Sequence, residues 1–209
     1  MVLNPLRAAL QRVALAAWSK PLLWLLCAWP ALALWSAAVA DQLGANPAEA
    51  LIRGLGDWAL RFLCVALAVT PLLVTLGVPA LARWRRSLGV TVWVYALLHL
   101  LAYAWLDQGW DLAELLQDVW KRPFILVGML AMLALTALAA TSFNRAVRFL
   151  GAARWRRLHQ AVYGVAGLSV LHFWWMRAGK NNFTEVWAYG AVLAALLLWR
   201  VWHARRAQT

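Results

Sequence analysis

Residues 85–103 read RRSLGVTVWVYALLHLLAY: two arginines, then a charge-free run with one histidine, His99, well inside it. A run of this kind needs about 20 residues to cross the hydrocarbon core. The arginines anchor its start to one aqueous face. At 1.5 Å per residue His99 lies roughly 20 Å beyond Arg86, within the apolar layer rather than at its edge. A polar ring at that depth is costly, so by default it marks function.

Five further stretches of the same character flank this one. The expected spans are 21–40, 58–76, 88–106, 124–140, 158–176 and 186–201, in one transmembrane domain covering 1–209. The composition requires such an arrangement: 65% of the 209 residues are hydrophobic and 13% are charged. No soluble domain of this length could cover that much apolar surface. The expected fold class is an all-α integral membrane protein, a bundle of about six transmembrane helices. The first expected span closes on Ala38-Val39-Ala40, a cleavage-like pattern. Its apolar run is longer than a signal peptide's core, so it is expected to remain a span.

Charge sets the orientation. Arg7, Arg12 and Lys20 precede the first span, Arg83, Arg85 and Arg86 separate the second from the third, and Arg145, Arg148, Arg154, Arg156 and Arg157 separate the fourth from the fifth. Arg200, Arg205 and Arg206 close the chain on the same side. The eight acidic residues fall on or near the other. This bias places both termini in the cytoplasm of a multi-pass inner-membrane protein. The net charge of +12 thus reports topology, and no nucleic-acid partner is expected; the lipid bilayer is the partner instead. The largest outer loop, 107–122, carries Leu112, Leu115, Leu116 and Val119 opposite Asp111, Glu114 and Asp118. That spacing predicts a short amphipathic helix on the outer membrane surface.

His172 lies about 22 Å beyond Arg157 on the fifth span, the depth of His99 on the third. Two imidazoles at one depth on two helices suit the axial positions of haem iron. His159, near the inner edge, reads equally as a ligand or as an interfacial residue. The third span has no histidine opposite it, and Arg85 and Arg86 stand there instead. His203 reads as interfacial. Arg61, one turn after Asp57, reads as half of an i,i+4 ion pair or as a partner for a haem propionate. Cys27 and Cys64 lie in apolar runs without metal-ligand spacing. No glycine fingerprint for a dinucleotide and no Ser-His-Asp arrangement is present, so no catalytic residue is assigned and electrons must arrive from elsewhere.

WALRFLCVALAVTPL from Trp58, the stretch from Arg85, KRPFILVGMLAMLALTALAATS from Lys121, and LGAARWRRLHQAVYGVAGLSVLHFWW from Leu150 together resemble the MsrQ (YedZ) family. That family lies within the ferric-reductase-like transmembrane superfamily. The resemblance implies an electron-transfer subunit of an oxidoreductase system, not its catalytic subunit. It implies one or two b-type haems, FMN, and His99, His172 and His159 as haem-iron ligands with Arg85 near an inner haem. It also implies delivery of electrons to a periplasmic molybdopterin methionine sulfoxide reductase (MsrP-like) for repair of oxidised proteins, with quinone or a cytoplasmic flavin reductase as donor. Two other readings stay open: a stand-alone ferric or quinone reductase of cytochrome b type, and a cofactor-free transporter or scaffold. The absence of acidic residues deep in the spans counts against a proton-coupled carrier.

Overall fold

A computed structural model describes residues 5–179 and 181–206. In chain order the helices are α1 (Pro5–Leu15), α2 (Ser19–Val39), α3 (Pro47–Leu76), α4 (Arg85–Leu106), α5 (Leu112–Lys121), α6 (Pro123–Ala140), α7 (Asn144–His159), α8 (Ala161–Ala178) and α9 (Thr184–Arg206), with a 3₁₀ turn over Pro79–Trp84 leading into α4. No strand occurs among the described residues. The protein is an all-α, multi-pass membrane protein. Five helices are long and apolar enough to cross a membrane: α2, α3, α4 with its leading turn, α6 and α9. The remaining expected span, 158–176, falls on α8, whose 18 residues include Ser169, His172, Trp174, Trp175 and Arg177. These polar and amphipathic side chains dilute its apolarity below that of the other five.

The exterior is that of a protein solvated by lipid. Leu25 and Trp29 on α2 remain 69% and 70% exposed, and Leu198 on α9 68%. A continuous apolar surface of this kind would aggregate in water. The interior is smaller, centred on Leu55 and Leu63 of α3, Val78, and Val165 of α8. α4 packs along α3, α8 packs along α6, and α4 touches α6, so two helix pairs stand side by side.

Helix ends follow their local chemistry. Asn46 caps α3 by accepting from the Glu49 N–H at 3.1 Å, with Pro47 in the first turn, and Gly77 closes the helix at φ 64°. That left-handed conformation suits glycine. The cap lies twelve residues before the expected start at Trp58. The charges of Glu49, Arg53 and Asp57 mask this extension in the sequence, although Glu49 and Arg53 pair at 2.6 Å along the helix. Asp111 caps α5, accepting from the Ala113 and Glu114 N–H groups. The expected amphipathic helix therefore forms at Leu112–Lys121, with Leu112, Leu116 and Trp120 exposed.

One polar contact fixes α2 on α4. The Tyr95 hydroxyl accepts from the Ala31 N–H at 2.9 Å and donates to the Cys27 carbonyl at 2.7 Å. An unbroken helix would join those two groups to each other. They lie beside Pro30, whose ring disturbs the helix there. Tyr95→Phe therefore leaves a buried donor and acceptor to find new partners. The expected cost is about 1–3 kcal/mol, read as a lower thermal midpoint in detergent; an unchanged midpoint would show that the hydroxyl merely fills space.

Candidate haem site

α4 carries His99 and α8 carries His172 into one cavity, where their ring centroids lie 6.2 Å apart at an interplanar angle of 81°. Each ring is held in the same way. His99 Nδ1 donates to the Ile52 carbonyl of α3 at 2.7 Å, and His172 Nδ1 donates to the Phe124 carbonyl of α6 at 2.6 Å. A carbonyl only accepts, so the proton sits on Nδ1 and a neutral ring keeps its lone pair on Nε2. Donation from the second nitrogen is how proteins fix the tautomer and raise the basicity of a metal-binding histidine.

Glycine makes both contacts possible. Gly56 and Gly128 each follow the accepting residue by one helical turn. A Cβ on Gly56 would lie 3.1 Å from His99 Nδ1, and one on Gly128 would lie 2.9 Å from His172 Nδ1. The imidazoles therefore rest directly on the partner helix backbone, where a side chain at Gly128 would displace His172 and one at Gly56 would crowd His99. Acceptor, glycine one turn on, and histidine from the paired helix recur in α3/α4 and in α6/α8. Neither glycine nor either acceptor is picked out by sequence reasoning. The available signal was a glycine inside each partner helix, at a helix-interior cost of about 1 kcal/mol relative to alanine.

The cavity between the pairs measures about 380 Å³, within the usual range for ligand sites. Its walls are apolar, among them Leu60, Val92, Ala96, Met129, Leu135 and Met176, and its polar rim holds Asn46, Glu49, Arg53, Asp107 and Arg122. These features fit a haem. The 6.2 Å between the ring centroids would leave room for one metal centre held by both imidazoles, whose nitrogens bind metals at about 2 Å. Among the described residues there is no cluster of three His, Cys, Asp or Glu side chains suited to a bare metal ion. Haem needs none, because the porphyrin supplies the remaining ligands.

The other sequence-derived candidates lie elsewhere. His159 ends α7, its Nε2 3.1 Å from the Thr141 hydroxyl and its ring stacked on Trp155 at 4.0 Å. Trp155 in turn donates to the Thr141 carbonyl at 2.9 Å. This cluster closes the C-terminal end of α6, and α7 bends into it at Gly151, whose φ of 73° favours glycine. Arg85 is exposed at the start of α4. Arg61 donates to the Tyr189 hydroxyl at 2.9 Å and lies over the Trp58 ring, tying α3 to α9. None of these three lines the cavity between His99 and His172. His203 stacks on Trp199 in the exposed tail.

Residues 55–170 match the family described as ferric reductase like transmembrane component. The chain is 58% identical over 185 residues to the protein-methionine-sulfoxide reductase heme-binding subunit MsrQ of Polaromonas naphthalenivorans, which covers 88% of this chain and 84% of that protein. The subunit of the same name from Bordetella pertussis is 51% identical over 79% of this chain and 81% of its own length. That from Caulobacter vibrioides is 45% identical over 88% and 87%. No solved structure matches the chain. At these identities and this coverage, the chain belongs to the MsrQ family of ferric-reductase-like membrane proteins.

Proposed function

We propose that this chain holds b-type haem between His99 and His172 and conducts electrons across the bacterial inner membrane to a periplasmic methionine sulfoxide reductase of the MsrP type. The observation that carries the reading is the pair of carbonyl-anchored imidazoles facing one apolar cavity at 6.2 Å. Bound there, haem supplies reversible one-electron transfer. The chain's own contribution is orientation and dielectric. The Ile52 and Phe124 carbonyls hold each ring in one tautomer, and the apolar walls keep water from the iron ligands. The names of the relatives, heme-binding subunits of a protein-methionine-sulfoxide reductase, support both the cofactor and the role.

The same reading places α8 as a sixth span and both termini in the cytoplasm, on the basis of the arginine asymmetry. The outer rim, with α5 beside it, then faces the periplasmic partner. We assign electron entry to the inner end, where His159 and Arg85 stand. FMN, implied by the family resemblance, finds phosphate-compatible charge in Arg145, Arg148, Arg154, Arg156 and Arg157 of α7. Quinone or a cytoplasmic flavin reductase is the donor class.

The test uses membranes containing this chain and an MsrP-like enzyme, supplied with quinol or with a cytoplasmic flavin reductase, with methionine sulfoxide reduction on the outer side as the readout. His99→Ala should reduce the rate by at least about 10–100-fold. His159→Ala should slow electron entry while leaving the haem spectrum of the His99–His172 site in place. Full methionine sulfoxide reduction by the His99→Ala variant would overturn the proposal.

A further inference from the structure

We propose that Arg53 and Arg122 bind the two carboxylates of the haem, so that it sits in the cavity with its propionates toward the outer face. The inference rests on haem being held between His99 and His172. A b-type haem carries two carboxylates on one edge of an otherwise apolar disc. Those charges cannot lie against Leu60, Met129 or Leu135 without a large desolvation cost. They must reach the polar rim, and the basic side chains lining the cavity are Arg53 and Arg122.

Their placement follows from the elements that hold the imidazoles. Arg53 is next in sequence to Ile52, the acceptor for His99, and Arg122 is two residues before Phe124, the acceptor for His172. Each helix pair thus brings one histidine to the iron and one guanidinium to the rim. Both guanidiniums are already held by carboxylates. Arg53 pairs with Glu49 at 2.6 Å, and Arg122 pairs with Asp118 and lies 3.8 Å from Asp107, with its guanidinium over the Phe124 ring at 5.7 Å. Tyr103 also donates to Asp118. These contacts aim the arginines without exhausting them, because a guanidinium has five N–H donors and binds carboxylate in a fork. Arg61, the residue whose position in the sequence suggested this role, is engaged with Tyr189 away from the cavity.

The test is a one-electron redox titration of the purified full-length protein, followed by its visible spectrum, in wild type, Arg53→Gln, Arg122→Gln, the double variant and Asp118→Asn. Removing a positive charge beside the propionates favours ferric over ferrous haem. Each single arginine variant should lower the ferrous-to-ferric ratio at fixed potential about tenfold, or about 59 mV for a one-electron couple, and the double variant should lower it further. Asp118→Asn, which releases Arg122 from a competing carboxylate, should leave the ratio unchanged or raise it. If Asp118→Asn lowers the ratio as Arg122→Gln does, Arg122 acts by holding α5 and the proposal fails. If wild type is haem-loaded and all arginine variants titrate like it, the proposal fails while haem binding stands. A haem-free wild type overturns the haem reading itself. Where an arginine variant holds too little haem to titrate, loading with haem dimethyl ester decides. Equal binding of the ester by wild type and variant supports the carboxylate contact, and a persistent deficit overturns it.

Discussion

Replacing His99 or His172 by alanine is expected to abolish six-coordinate haem, leaving purified protein with little or no low-spin b-type absorption. The two imidazoles form a single unit across one cavity, so loss of either would leave a bound haem with only one of the two histidines that would hold it. Either variant should therefore lose most of its haem or hold the remainder in a high-spin form, with binding weakened well beyond the 10–100-fold typical of losing a supporting contact. The neutral partner of each deleted ring is a backbone carbonyl that also serves its own helix, so the bundle should still assemble. Retention of full haem content and an unchanged spectrum in both variants would mean that the iron is held elsewhere.

The second large effect belongs to residues with no side chain at all. Gly128→Ala places a methyl group 2.9 Å from His172 Nδ1 and Cε1, and Gly56→Ala places one 3.1 Å from the corresponding atoms of His99. The His172 ring must then shift off its carbonyl, whereas the His99 ring must give by a few tenths of an ångström, so each loses some of the anchoring that fixes its tautomer. We expect haem affinity to fall about 10–100-fold for Gly128→Ala and somewhat less for Gly56→Ala, where the approach is looser. Gly89 on α4 and Gly167 on α8 supply the controls, since a Cβ there meets nothing within 4 Å. Alanine at those positions should stabilise the helix by up to about 1 kcal/mol and leave the haem untouched. Opposite signs for the two classes of glycine, read by haem content and thermal midpoint together, are what the anchoring geometry requires. Equal haem content in Gly128→Ala and Gly167→Ala would remove the glycine cradle from the mechanism.

The apolar runs made the membrane class legible from sequence, and the arginine clusters gave a reference from which His99 and His172 could be set at one depth. Depth along a helix follows from a constant rise, so His99 and His172 could be matched before any packing was known. Rotation and pairing could not be matched in this way. Which helix faces His99 depends on how α3 lies along α4, and the Ile52 carbonyl leaves no trace in side-chain chemistry. Gly56 escaped notice because it precedes the charge-free run, in a stretch where Glu49, Arg53 and Asp57 hide the helix. The same charges made Arg61 the natural candidate for a propionate, whereas the bundle turns Arg61 toward Tyr189 and brings Arg53 to the cavity. The amphipathic segment after Trp110 was readable because its periodicity is local and its cap, Asp111, sits in sequence where a cap should be. His159 was ambiguous in sequence. Its contacts with Thr141 and Trp155 show where it sits and leave its role to experiment.

The most direct test of the central claim is the reduced-minus-oxidised absorption spectrum of the purified wild-type protein, made with ample haem supply, with haem quantified per chain. Sharp low-spin b-type bands with at least one haem per chain are the expected result, and a second haem would point to a site at His159. A colourless protein with intact helices would contradict the haem assignment and return the chain to a cofactor-free membrane role.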